Sequence, residues 1–510
     1  MRALISTYDK TGLDGFARGL AQLGWELVAS GGTAAALEDL GLTVERVESL
    51  TEVPELLGGR VKTLHPRIHA GILARRDRPD DAATLEEHAI EPFDLVCVNL
   101  YPFERAAARR GVTEADAVEL IDVGGPSMLR GAAKNFAYVA PVCRPAQYEP
   151  VLAELRRTGA LTLATRRSLA AEAFAATAAY DAAIAAWFAE VEPFPERLTL
   201  AFTKARELAY GENPHQRGAY YTENGARRHL LSRVEQVHGR ELSFNNLHDL
   251  AGAVSLLAGF SLPGCAIVKH ANPCGAALAA TPLVAYERAL ASDPVSAYGG
   301  VVALNRPVDA VLGERLAEQF VEVLIAPGYD DGALAALRRK PSTRILVDGE
   351  RRRWRPGERD LKRVPGGLLV QDGDSTDDER ETMRVVCGAP TEAHWGDLLF
   401  AWRVCRHVSS NAIVLARDLA TVGIGAGQMS RVDAVRIAVE KAREHGHDLA
   451  GAALASDAFF PFADGPRVAL EAGVAGVIQP GGSKRDDEVI AAVEGAGATM
   501  VFTGRRHFRH

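Results

Sequence analysis

The chain has 510 residues, 47% of them hydrophobic and 24% charged, with a net charge of −8. That length allows several domains with large cores, and the acidic balance disfavours general nucleic-acid binding. Six cysteines with no CxxC pair fit a reducing cytoplasm rather than a disulfide framework.

The N-terminus runs straight into a strand pattern, ALIST (3–7), without a long apolar leader, so no signal peptide is expected. GLDGFARGLAQLG (12–24) predicts a helix, WELVAS (25–30) a strand, and Thr33 to about Gly41 a second helix. DLVCVNLY (94–101) and AYVAPVC (137–143) predict further strands. Such alternation implies a parallel α/β sheet covered by helices. The alanine-rich run at 168–190 is flanked or interrupted by Arg167, Glu172, Asp181 and Glu190, and is read as a packed helix rather than a membrane span. Pro193 and Pro195 in VEPFPERL mark a boundary, giving domains 1–195 and 196–510.

The second part is also α/β. CAIVKH (265–270), GGVVAL (299–304) and TRILVD (343–348) predict strands, followed by a polar connector at about 349–380. The connector contains RRRWR (351–355), read as a solvated hairpin whose charge is offset by the acidic DGDSTDDER (372–380). SSNAIVLARD, TVGIGAGQ, AALASDAFF, VAGVIQPG and MVFTG then resume the pattern, predicting two related subdomains.

Two glycine turns follow strands. Ser30-Gly31-Gly32-Thr33 opens a helix and offers hydroxyls and free N–H groups to an anion, although a plain capped helix has the same look. Asp122-Val123-Gly124-Gly125-Pro126-Ser127 places Pro126 at a first helical position. No Gly-Lys dipeptide occurs, so a Walker loop is absent, and Gln428 stands where a dinucleotide fingerprint wants its third glycine. In GGRVKTLHPRIHAG (58–71), His65 and His69 are four apart, but Pro66 intervenes and no carboxylate lies in the stretch. No metal site is expected there. The loop is read as delivering Arg60, Lys62 and Thr63 to a polar pocket, with the lysine meeting an oxyanion or donating a proton.

In CAIVKHANPCGAAL (265–278), a strand leads Lys269 and His270 into a turn holding Asn272, Pro273 and Cys274. A histidine there can shuttle protons at a weak amine nucleophile. Pro273-Cys274 has the look of the zinc deaminase P-C-x-x-C, but Ala277 replaces the second cysteine and no His-x-Glu precedes it. AYGENPHQ (209–216), ELSFNNLHDL (241–250), GIGAGQMSR (423–431) and SDAFFPF (456–462) read as loop motifs. Asn213, His215, Asn246 and Arg431 are ligand candidates among them.

Taken in order, STYDKTGL, ASGGTA, GGRVKTLHPRIHAGILARR, NLYPFE, IDVGGPSMLRGAAKN, YGENPHQ, VKHANPCG, DPVSAYGG, IAPGY, SSNAI, GIGAGQMSR, SDAFFPF and the terminal FRH carry a resemblance over essentially the whole length. The chain resembles the bifunctional purine-biosynthesis family that joins phosphoribosylaminoimidazolecarboxamide formyltransferase to IMP cyclohydrolase. The resemblance implies a methylglyoxal-synthase-like first domain and two cytidine-deaminase-like subdomains. It implies 10-formyltetrahydrofolate as co-substrate, small-molecule nucleotide substrates, no catalytic metal, no nucleic acid or membrane partner, and a cytoplasmic homodimer with transferase sites at the interface.

By the same resemblance His270 takes the amine proton, Lys269 steers the relay, and Asn411 holds the formyl oxygen. Tyr210, Asn213, Asn246, Gln428, Arg431, Phe462, Arg506, Phe508 and His510 line the nucleotide and folate pocket. For ring closure, Lys62 and Tyr101 stabilise or protonate the formyl oxygen that turns negative, Asp122 and Lys134 manage protons on the carboxamide, and Ser6, Lys10, Ser30, Gly32 and Thr33 hold the phosphate. Arg60, Thr63 and Gly124 complete that pocket. Three positions depart from the family pattern: Ala209 where arginine is usual, Ser409 where many bacterial relatives carry lysine, and Tyr8 where some carry serine. They bear on transferase affinity more than on reaction type. The competing readings are a zinc-dependent base deaminase and a nucleotide-sensing module whose first domain binds without reacting.

Overall fold

A computed structural model describes the chain except residues 55, 102, 104–106, 108–110, 190–191, 193, 225–230, 232–233, 350–357 and 375–378. The RRRWR run therefore lies outside the described residues, as do Val191 and Pro193 of the predicted boundary. The structure divides into two compact units, Met1–Thr203 with Thr222–Arg228, and Lys204–Tyr221 with His229–His510.

In the first unit, β1 (Arg2–Thr7), β2 (Glu26–Ala29), β3 (Val44–Arg46), β4 (Leu95–Asn99) and β5 (Ala140–Val142) form a parallel sheet in the order β3-β2-β1-β4-β5. β1 and β4 are near-continuous apolar runs because helices cover both faces. One face packs Leu13, Phe16 and Leu20 against Tyr148 and Leu152. The other packs Ile68, Ile72, Met128 and Leu129 under the sheet. The alanine-rich segment is the helix Leu163–Phe188, which has the length and mean hydropathy, 1.2, of a membrane span. Its Ala173, Thr177 and Tyr180 are buried within the unit, as expected of a packed helix.

The strand order reverses between β1 and β4, and such a switch point opens a crevice at the carboxyl ends of the strands. Asn99 closes its floor: its Oδ1 accepts from the N–H groups of Tyr8 (2.7 Å) and Asp9 (2.9 Å), and its Nδ2 donates to the Asp9 carbonyl at 2.7 Å.

The second unit holds β8 (Glu235–His238), β9 (Gly264–Lys269), β10 (Asn272–Leu278), β11 (Val301–Leu304), β12 (Val323–Ala326), β13 (Arg344–Val347), β16 (Arg384–Cys387), β17 (Ile413–Arg417), β18 (Ala420–Gly425), β19 (Ala453–Ser456), β20 (Gly476–Gln479) and β21 (Thr499–Phe502). The ribbon of β6 (Phe202–Leu208) and β7 (Gly218–Glu223) precedes them, and β14 (Arg359–Val364) and β15 (Gly367–Asp372) form a ribbon within the connector. The other twelve strands make one sheet in the order β16-β21-β20-β19-β17-β18-β10-β9-β11-β12-β13-β8.

That order has an internal two-fold symmetry. Each half presents a hairpin (β9–β10 or β17–β18) at the centre and parallel strands running outward. The halves meet where β10 pairs with β18 at Ala277 and Ala420, so the related subdomains share one sheet.

Both hairpin tips are two-residue turns in the left-handed region: His270 (φ 53°) and Ala271 (φ 63°), and Asp418 (φ 52°) and Leu419 (φ 61°). Such turns match the twist of the flanking strands, but ordinarily recruit glycine or asparagine. Here an aspartate from the preceding helix anchors each tip. Asp249 accepts from Ala271 N at 2.7 Å, and Asp397 accepts from Asp418 N (2.9 Å) and Leu419 N (2.7 Å). The expected turn at Asn272–Cys274 is thus displaced. The chain reverses at His270–Ala271, and Asn272, Pro273 and Cys274 already belong to β10.

Candidate active sites

The first unit gathers its candidates at the carboxyl edge of the sheet. The helix after β2 begins at Gly31 rather than Thr33, and no side chain caps its first turn. Ser6 and Ser30 share a hydroxyl hydrogen bond at 3.0 Å, and the Lys10 ammonium donates to the Thr7 carbonyl at 3.3 Å. Gly31 has φ 42°, and a Cβ there would overlap the Lys62 ammonium. Lys62 therefore lies over the glycine turn, 3.6 Å from Glu48. The ammonium thus adds positive charge beside the positive end of this helix, and both favour an anion there.

Thr33 differs from expectation. Its buried hydroxyl donates to the Thr7 carbonyl (3.1 Å) and accepts from Thr7 N (3.0 Å), tying the helix to β1 rather than facing a ligand. Arg60 also departs, because its guanidinium pairs with Glu119 at the exposed surface.

Asp122 is a partly buried acid at the second glycine turn. Its Oδ1 accepts from Gly125 N at 2.9 Å, yet burial raises its pKa above the ordinary carboxyl value. Glycines pack tightly here: a Cβ on Gly124 would overlap the Thr63 hydroxyl, and one on Gly125 would overlap the Asp122 carboxylate. Asp122, Thr63 and Gly124 thus form one cluster. Tyr180 supports it, its hydroxyl accepting from Asp122 N at 2.7 Å and donating to the Leu120 carbonyl at 3.3 Å. Burial and the Asp122 charge help push the Tyr180 phenol up to about 12. Tyr101 is exposed, its ring 5.0 Å from that of Tyr8. Lys134 is not brought to this cluster. It ends the helix that Gly124 begins, about 15 Å further along the axis.

In the second unit the β9–β10 tip presents Lys269 and His270. The Lys269 ammonium donates to the Gly299 carbonyl at 2.8 Å. Asn272 ties the tip to the next element, its Oδ1 accepting from Ser409 N at 2.8 Å. A cavity of about 240 Å³ adjoins, lined in part by Lys269, His270, Cys274, Asp293 and Lys441. Asp293 pairs there with Lys441 (3.3 Å) and His445 (3.2 Å). Burial, followed by the Asp293 charge, pushes the Cys274 thiol up to about 12, so it is no thiolate ligand or nucleophile at neutral pH. Among the described residues no three of His, Cys, Asp and Glu gather as a metal site.

Asn411 sits beyond Ser409 with its side-chain amide fixed at both ends. Its Oδ1 accepts from Arg431 Nη2 at 2.7 Å, and its Nδ2 donates to the carbonyls of Gln428 (2.8 Å) and Met429 (3.2 Å). The bond to Met429 is the longer and the exposed one of the two. Gln428 turns its own amide to the Ala426 carbonyl at 2.8 Å.

Asn246 is buried and committed. Its Oδ1 caps Ser243 N at 3.1 Å and its Nδ2 donates to Glu322 at 3.0 Å, so it shapes the wall rather than offering free groups. Asn213 is exposed, donating to Gln216 at 2.8 Å through its backbone, and the Tyr210 carbonyl accepts from Phe244 N at 3.4 Å. Phe462 lies under Arg485, with 4.8 Å from guanidinium to ring, while Arg506 lies over Phe508 at 4.6 Å and Phe508 is 5.5 Å from His510.

Sequence reasoning did not assign a role to Glu322, Asp293, Asp457 or Tyr180. Asp293 and Asp457 sit inside the quoted motifs DPVSAYGG and SDAFFPF, but only the fold shows what each side chain touches.

A two-unit α/β protein with a helix-start anion turn in one unit and a Lys-His hairpin tip in the other has the make-up of an enzyme acting on phosphorylated small molecules. The comparisons with known proteins make this specific. A family model described as the AICARFT/IMPCHase bienzyme matches residues 132–441, and an MGS-like domain model matches residues 12–127. Proteins named bifunctional purine biosynthesis protein PurH are similar to the whole chain: 50% identical in Magnetococcus marinus over 99% of that protein, 51% in Cereibacter sphaeroides over 98%, and 51% in Chloroflexus aurantiacus over 99%. The chain belongs to the AICARFT/IMPCHase bienzyme family. It is an enzyme of the last two steps of IMP synthesis, transferring a formyl group to the 5-amino group of 5-aminoimidazole-4-carboxamide ribonucleotide and then closing the formamido product to IMP with loss of water.

Proposed function

We propose that ring closure is carried by residues 1–195 and formyl transfer by 196–510, with side chains moving the protons. In transfer, the substrate amine attacks the formyl carbon of 10-formyltetrahydrofolate. His270 receives the amine proton, Lys269 stabilises the anionic carbon–oxygen intermediate, and Asn411 Nδ2 takes the formyl oxygen. The folate nitrogen leaves and regains a proton, so the step balances without another reactant. General acid–base help of this kind supplies about 10²–10⁴ in rate. The observation that carries the reading is the tethered tip: two residues in left-handed turn geometry hold Lys269 and His270 beside a loop that Asn272 ties to Ser409. Backbone held this way is a recurrent property of functional sites.

In ring closure, the carboxamide nitrogen attacks the formyl carbon, an intramolecular step in which orientation supplies much of the acceleration. Asp122 lies beside the glycine turn with its pKa raised by burial, and is suited to exchange a proton with the carboxamide. Ser6, Lys10, Ser30, Gly32 and Lys62 surround the uncapped helix start where the sugar phosphate docks. Tyr101 approaches the reacting oxygen from the exposed side. The enzyme works as a cytoplasmic homodimer with transfer sites at the interface; the exposed Phe462, Met429 and Phe508 give apolar surface for a folate or a second copy to cover.

The test uses the full chain. Tetrahydrofolate release and IMP formation from the formamido nucleotide are followed separately in His270→Gln and Lys62→Ala. His270→Gln should lose the first and keep the second, and Lys62→Ala the reverse. Loss of both activities in either variant would refute the division of labour, and light scattering at a monomer mass would refute the dimer.

A further inference from the structure

Asp457 follows β19 and is wholly buried. Its Oδ1 accepts from Ala412 N at 3.1 Å and pairs with Arg431 Nη1, and its Oδ2 accepts from the Ser410 hydroxyl. Arg431 Nη1 also donates to Ser456 Oγ at 2.8 Å, leaving Nη2 aimed at Asn411 Oδ1 at 2.7 Å. An arginine can only donate, and the Gln428 and Met429 carbonyls can only accept. The guanidinium therefore dictates which end of the Asn411 amide carries the N–H groups, and Asp457 dictates where the guanidinium lies.

The internal two-fold separates this role from a folding role. Asn305 follows β11 as Asp457 follows β19, and its Oδ1 accepts from Gly264 N at the start of β9 at 2.8 Å. A neutral amide thus suffices to hold the start of the central strand in the first half, where no arginine replaces Pro282 at the helix start. The charge in the second half serves the arginine.

We propose that Asp457 is a positioning residue for formyl transfer, acting through Arg431 to set the orientation of the Asn411 amide. The inference rests on the reading that Asn411 takes the formyl oxygen. Asp457 touches no reacting atom; its effect passes entirely through the amide.

The test is a double-mutant cycle on the full chain, with Asp457→Asn, Asn411→Ala and the pair, together with Ser410→Ala and its pair with Asn411→Ala. Asp457→Asn should lower kcat for transfer by about 10², the scale of an ångström-level misplacement. KM should change less than about threefold, since the interaction acts on the reacting geometry rather than on ground-state binding. IMP formation from the formamido nucleotide should be unchanged. Adding Asp457→Asn to Asn411→Ala should cost nothing further, because coupled residues are non-additive. Losses that multiply across the pair, or wild-type transfer in Asp457→Asn, overturn the proposal. Should Asp457→Asn fail to fold, as judged by aggregation, the Ser410→Ala cycle decides by the same criterion: a several-fold loss that vanishes in the Asn411→Ala background supports it, and a multiplicative or absent loss overturns it. Full transfer activity in Asn411→Ala alone would instead remove the underlying reading, a distinguishable failure.

Discussion

Gly275 offers a way to displace the transfer tip without touching it. It lies on β10, past the tip that carries Lys269 and His270. A Cβ there would overlap the Ala289 carbonyl oxygen outright and come within 2.9 Å of its carbon and 3.3 Å of Ser292 Cβ. The obstacle is helix backbone, which no rotamer change relieves. Since carbon and oxygen meet at about 3.3–3.6 Å, β10 and the helix Pro282–Ser292 must part by roughly 1 Å in Gly275→Ala. Overpacking of this kind costs about 1–3 kcal/mol. At about 2–4 °C per kcal/mol for a large domain, the melting temperature of the second unit should fall by about 2–12 °C. Displacing the tip by that distance should lower transfer kcat by about 10². Release of tetrahydrofolate, followed with saturating substrates, reads the effect, and IMP formation from the formamido nucleotide is the internal control. A variant with unchanged melting and unchanged transfer would refute the packing argument. Equal loss of both activities would refute the assignment of this hairpin to transfer alone.

Ala209→Arg supplies the cation that the family resemblance leads one to expect near the nucleotide; one charge-assisted contact should lower the KM for the aminoimidazole nucleotide about tenfold in steady-state assays. Asp122→Asn should stabilise the first unit at neutral pH. Burial raises the Asp122 pKa above 3.8, so its stabilising contribution is present below that value and lost as pH rises through the raised one. The gain over wild type, read by urea unfolding, should shrink as pH falls towards 4. His407 behaves oppositely, because burial and the nearby Arg406 and Arg509 lower its pKa from 6.5 to about 3. Its neutral form supports the fold above the unfolded value, and that support is lost as pH falls from about 6.5 towards 3. His407→Gln should flatten this acid limb of stability.

The first unit was legible where apolar runs are long enough to announce buried strands, as in DLVCVNLY, and where glycines stand between a strand and a helix. Deciding which hydroxyls remain free was not possible from spacing. Thr33 and Ser30 are near neighbours in one motif, yet the first hydroxyl is consumed by β1 while the second faces Ser6. Lys134 was carried in by resemblance, and the length of its own helix separates it from Asp122 within the unit. In the second unit the Lys-His pair was readable, but the turn was not. Left-handed backbone at His270 and Ala271 depends on an aspartate 22 residues upstream of Ala271, Asp249, rather than on any turn-forming residue nearby. The one-sheet join was also hidden, because pairing between β10 and β18 spans well over a hundred residues and leaves no local pattern.

That join has a consequence for how copies of the protein avoid exchanging strands. A duplicated architecture offers each central strand two similar mates, its own counterpart and the same strand of a neighbouring molecule. The seam discriminates through Thr421, whose hydroxyl accepts from Ala276 N at 2.9 Å, lies 3.2 Å from the Ala276 carbonyl and meets Ser292 Oγ at 2.9 Å. Its counterpart in the first half is Pro273, which has neither hydroxyl nor N–H to give. If β10 paired with another β10, the Ala276 N–H would lose its acceptor, and an orphaned buried amide costs about 1–3 kcal/mol. A threonine in one half where the other has a proline thus makes the correct partner cheaper than the look-alike, and keeps a symmetrical fold from becoming an open chain of swapped molecules.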